Sequence, residues 1–84
     1  MASEFDSRIN FIEDRQVMEA DFSGFHFDSS QTVNRVYDRI EARIAATGEE
    51  LWFFLVNLNG MRCDPVAWVA YARRGKALNL AHSM

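Results

Sequence analysis

The sequence predicts a small α/β domain, bordering on α+β, with the order β-β-α-β-α. It implies a small mixed sheet with a leading antiparallel hairpin and two packing helices. Three observations carry this. Residues 8–23 alternate loosely on either side of a tight turn. Val33, Val36, Tyr37, Ile40 and Ile44 recur at helical spacing. An uninterrupted apolar run, Leu51 to Val56, precedes a strong helix start at Asp64-Pro65.

Met1 to Ser7 carries acids and no apolar stretch, and reads as a flexible tail, leaving residues 8–84 as one domain. The hairpin follows. Ile9, Phe11 and Ile12 form its first arm, Asp14-Arg15 the turn, and Gln16 to Ser23 the second arm. There Met18, Ala20 and Phe22 alternate while Val17 is out of step. Phe25 to Asp28 reads as a connector. Asp28, Ser29 and Ser30 each offer a short oxygen that can cap a helix N-terminus. The apolar stripe places the first helix after them, and Gly48 ends it because glycine tolerates the left-handed conformation.

Leu51-Trp52-Phe53-Phe54-Leu55-Val56 has no alternation and is expected to be a central strand buried on both faces, parallel to the second arm of the hairpin. Phe53 or Phe54 should be nearly fully buried. Asp64 then serves as N-cap and Pro65 as the first helical residue, where a missing N–H costs nothing. Trp68, Val69 and Ala72 are the expected core contacts of this second helix. Gly75 either ends it or lies inside a continuation through Leu80.

Composition narrows the function classes. The chain has 84 residues, 49% of them hydrophobic, with seven Phe, two Trp and two Tyr. A domain this small hides only about 60–65% of its unfolded surface, so some of that aromatic area is expected to need a partner. Net charge is −3. Residues 1–30 hold seven acids and two bases, and residues 31–84 hold five acids and seven bases. An acidic front half argues against nucleic-acid binding, which needs a basic footprint. The longest apolar run is far short of the ~20 residues of a membrane span. A lone cysteine excludes an internal disulfide and a cysteine-based zinc cage, and a reducing, cytoplasmic setting is expected.

Candidate chemistry is sparse. His26 and His82 have no metal-ligand spacing, so neither metal nor cofactor is expected. Cys63 precedes a helix N-terminus, which lowers a thiol pKa, and Arg62 beside it would help. It is a candidate reactive thiol without a histidine nearby in sequence. Arg35, Arg39 and Arg43 recur every four residues and form a candidate anion-binding stripe, weighed against an ordinary solvated face. The carboxylate pairs Glu13-Asp14 and Glu49-Glu50 lie in turns. No catalytic constellation emerges, and the chain is read as a non-enzyme.

The stretch Val17-Met-Glu-Ala-Asp-Phe-Ser-Gly24, followed by Phe27-Asp-Ser-Ser30 and a helix, resembles the STAS domains of anti-sigma-factor antagonists. Those carry a strand ending in D-L-S-G and a D-S-S-G turn. The wider layout, over about residues 8–82, is similar to the SpoIIAA-like family of the same superfamily. Where the antagonists have Gly after the second Ser, this chain has Gln31. The resemblance implies a bacterial-type regulatory module acting by protein–protein binding. It places a phosphorylatable side chain at Ser30, with Ser29 its neighbour. It also implies a further strand and helix beyond Met84, so that the domain is incomplete or another subunit supplies a layer. A homodimer is expected. The alternative is a small-molecule or lipid binder that uses an apolar sheet face and the Arg35/Arg39/Arg43 stripe for a small apolar or anionic ligand.

Overall fold

The computed structural model describes residues 4–84. The hairpin forms as the alternation predicts. Strand β1 (Ile9–Ile12) pairs antiparallel with β2 (Val17–Asp21), in a register that sets Ile9 opposite Ala20 and Phe11 opposite Met18. The expected turn lacks glycine. A short 3-10 turn, Glu13–Arg15, takes its place, and Gln16 supplies the left-handed residue with φ 58°. Its side-chain amide donates to the Leu51 carbonyl at 2.8 Å, which holds this unusual conformation in place.

Helix α1 (Ser30–Thr47) starts at Ser29, whose Oγ accepts from the Thr32 backbone N–H at 3.1 Å, and ends at Gly48 with φ 77°. Its buried residues are Val33, Val36, Tyr37, Ile40 and Ile44, the stripe read from the sequence. The connector before it contains a two-residue strand, β3 (His26–Phe27), that periodicity could not show.

Strand β4 (Phe53–Asn57) returns parallel to β2, as the crossover through α1 predicts, with Val17 opposite Phe53 and Ala20 opposite Val56. The sheet order is β1-β2-β4, so β4 is an edge strand and not the expected central one. Phe53 is 54% exposed and Phe54 only partly buried. The aromatic that is hidden in this run is Trp52, at 2%. Its ring lies 4.8 Å from Phe11, and its Nε1–H donates to the Glu49 carbonyl at 3.0 Å.

Strand β5 (Arg62–Cys63) pairs parallel with β3 in a second small sheet. Helix α2 (Pro65–His82) runs straight through Gly75, where a Cβ would stand 3.4 Å from Tyr37 Oη, so glycine lets the two helices approach closely. Ala67, Ala70 and Leu78 are its buried residues. The expected contacts Trp68 and Val69 instead face outward, at 56% and 71% exposure, and Ala72 is exposed as well. Arg74 ties α2 to α1. Its guanidinium donates to Asn34 at 2.9 Å and to Asp38 at 2.8 Å, and lies over the Tyr37 ring.

Both helices pack on the face of the sheet that carries Met18, Ala20 and Phe22. Among the described residues no helix covers the reverse face, where Phe53 and Leu55 of β4 are exposed. Residues 1–3 of the expected tail lie outside the described residues. Residues Glu4–Arg8 are not a tail but a 3-10 turn, because Phe5 inserts into the core at 6% exposure against Phe22 and Phe25. Among the described residues, no helix is long and apolar enough to cross a membrane.

Candidate functional site

The candidates drawn from the sequence do not converge. Ser29 is spent on capping α1, and its hydroxyl also donates to Thr32 Oγ1 at 3.1 Å. Ser30 is the first residue of α1 and is exposed. Two arginines of the stripe are bound by their own chain. Arg39 makes a two-pronged pair with the Asp6 carboxylate, its Nη2 at 2.8 Å from Oδ2. Arg43 donates to the Asp6 carbonyl at 3.1 Å and lies over the Phe11 ring. Arg35 reaches Thr32 Oγ1 at 3.4 Å. Arg39 and Arg43 therefore anchor the N-terminal turn, while Arg35 does not reach it.

Cys63 ends β5, one residue before the N-cap of α2. Burial pushes its thiol pKa up, and the Asp64 carboxylate adds to that. His26 is held between Asp64 and Arg62. Its Nε2 lies 2.8 Å from Asp64 Oδ1 and Arg62 Nη2 lies 3.3 Å from its Nδ1, which fits an imidazole whose proton points to Asp64. Asp64 thus occupies the N-cap position of α2 while its side chain serves His26 and makes no cap bond. His82 ends α2, where Nδ1 contacts the Glu50 carbonyl at 2.8 Å. Glu13, Asp14, Glu49 and Glu50 are all exposed. Among the described residues, no three His, Cys, Asp or Glu side chains cluster as a metal site.

What the fold does assemble is an apolar strand edge beside a cleft. Backbone groups along β4 alternate in direction. Phe53 N–H donates to Gln16 O at 2.8 Å, and Asn57 O accepts from Phe22 N–H at 2.9 Å, so odd-numbered residues turn toward β2. The even-numbered residues turn the other way. Of these, Trp52 is engaged. Its N–H donates to His82 O at 2.8 Å and its carbonyl accepts from Met84 N–H at 3.0 Å, in a parallel bridge to Ser83. At the other end the Leu58 carbonyl accepts from Met61 N–H at 3.1 Å. Between them, the N–H and C=O of Phe54 and Val56 face a side on which no described strand lies.

The side chains around this edge are apolar. Leu51, Phe53, Leu55, Val56 and Leu58 are each between 40% and 59% exposed, and no charge occurs from Leu51 to Gly60. On the helix-covered face a cleft of about 500 Å³ lies between β4 and α2. Met18, Phe54, Val56, Leu58, Tyr71 and Lys76 are among its lining. The opposite edge of the sheet is different. There Arg43 reaches toward the Ile9 carbonyl at 3.5 Å. Cations at an edge discourage strand pairing, and β4 has none.

Sequence reasoning found the apolar run but assigned it to the interior. The available signal was its missing charge. Comparison of the chain with protein families, with curated proteins and with solved structures finds no match.

Proposed function

We propose that this chain is a non-enzymatic interaction module, regulatory in the manner its STAS- and SpoIIAA-like resemblance implies, and that it acts by binding protein along the edge of β4. The single observation that carries this reading is the set of unpaired backbone groups of Phe54 and Val56 in an uncharged, exposed apolar strand. Main-chain pairing supplies affinity to an added strand, and side-chain pockets on either side supply selectivity. The cleft beside Phe54 and Val56 is such a pocket. Ser30, exposed in the first turn of α1, is where the resemblance would put a phosphoryl group. It would add about −2 charge at a helix N-terminus.

The cleft also favours a second reading, a small apolar ligand held between β4 and α2. Its volume lies within the roughly 300–1,000 Å³ of small-molecule sites. The arginine stripe is not part of its lining, so a headgroup clamp is not included in that reading. Capture from the native host with wild type and with Leu55→Glu, alongside native mass spectrometry, separates the two. The protein-binding reading expects a captured protein that is lost in Leu55→Glu. A small molecule retained equally by both, with no protein partner, would replace it by the second.

A further inference from the structure

The unpaired groups on β4 are self-complementary. Phe54 and Val56 flank Leu55 symmetrically, each offering one N–H and one C=O on the same side. Bring a second β4 alongside in the antiparallel sense, with a two-fold axis through Leu55. Phe54 of one copy then faces Val56 of the other, a pair that exchanges both hydrogen bonds, and the axis repeats the pair. Leu55 faces Leu55 as a non-hydrogen-bonded pair. This register satisfies every unpaired group between Trp52 and Leu58. Centring on Phe54 would set Val56 against Trp52, whose N–H and C=O already serve His82 and Met84. Centring on Val56 would set Phe54 against Leu58, whose carbonyl already serves Met61.

The side chains agree with the backbone. The strand carries no charge from Leu51 to Gly60, so its own side chains bring no like-charge repulsion to the joint. On the helix side, Phe54 and Val56 meet at the rim of the cleft. On the bare side, Leu55 at 59% exposure meets its own equivalent. Pairing β4 with the far edge, β1, would be head-to-tail and would meet the cation there, Arg43. A two-fold joint closes on itself and leaves one continuous six-stranded sheet with β1 at both ends. We infer that the partner for the edge of β4 is a second copy of this chain, joined by an antiparallel β4–β4 pairing centred on Leu55. The inference rests on the reading of β4 as the binding edge and names its occupant.

Light scattering coupled to size exclusion should give wild type a mass twice the 9.7 kDa of one chain at micromolar concentration, and Leu55→Glu a mass of one. Residues facing across such a pair have Cα atoms about 4.5 Å apart, within disulfide range. Leu55→Cys, with Cys63→Ser to remove the native thiol, should therefore oxidise to a covalent dimer. Phe53→Cys on the same background should not, because its equivalents would lie roughly 14 Å apart along the two strands. A wild-type monomer at 100 μM overturns the inference. So does a dimer that persists in Leu55→Glu while Leu55→Cys fails to cross-link. A monomer that still captures a host protein through β4 overturns self-pairing alone and leaves the proposed function standing. If Leu55→Glu fails to fold, the pair of cysteine variants decides.

Discussion

Ser29 holds the first turn of α1 through one oxygen. Its Oγ accepts from Thr32 N–H, and the Thr32 hydroxyl in turn donates to Asp28 Oδ1 at 2.7 Å. Ser29→Ala should cost about 0.5–2 kcal/mol by denaturant melt, the usual range for a lost N-cap, and a loss near zero would assign the cap elsewhere. The same network fixes a pH dependence. The Thr32 hydroxyl holds the Asp28 carboxyl below the ordinary aspartate value. A group with a depressed folded-state pKa gives stability that is complete above the unfolded pKa and lost as pH falls through the folded value. Asp28→Asn should therefore flatten part of the acid-side loss of stability. An unchanged profile between pH 5 and pH 2 would remove Asp28 from the account. The sequence offered three cap candidates here, and local chemistry alone could not rank them. Asp64 shows the converse. Its cap position before Pro65 was legible, yet its side chain is turned to His26, which lies in a strand that no local pattern reveals.

Helix α1 and helix α2 differ in how much of themselves they declare. In α1 the large apolar residues fall on one stripe, and the stripe is the buried face. Ile40 is 1% exposed at its centre, so Ile40→Ala should cost about 2–5 kcal/mol. In α2 apolar residues occur on all sides, and the face that docks mixes small and large ones, with Ala67, Ala70 and Leu78 buried and Tyr71 packed against the core. The larger Val69 faces out, and Val69→Thr should change stability by no more than about 0.5 kcal/mol. A chemical-denaturation series containing both variants checks the pair. Comparable losses would mean that the docking face of α2 is misplaced. Size misled the reading of α2 because a close helix–helix approach selects alanine and glycine, as Gly75 beside Tyr37 illustrates. The strand Phe53–Asn57 misled it differently. An unbroken apolar run describes a strand that needs cover on both faces, but it does not say whether the cover comes from the same chain.

At the scale of the molecule, both helices pack on one face of the three-stranded sheet, no described helix covers the other, and the two edges are unlike. At the β1 edge Arg43 reaches toward the Ile9 carbonyl, while β4 is neutral, apolar and exposed. That this run is apolar and uncharged along its whole length was legible from the sequence. Which side stays open was not, since it depends on β2 lying between β1 and β4. The central claim is that the outward backbone groups of β4 are in use. Amide hydrogen exchange, read residue by residue across a range of protein concentrations, tests this most directly. Phe53 and Leu55, whose amides turn to β2, should be protected at every concentration. Phe54 and Val56 should be protected at high concentration and should lose that protection on dilution and in Leu55→Glu. Exchange of Phe54 and Val56 at the rate of a free peptide, at all concentrations up to millimolar, would contradict the account.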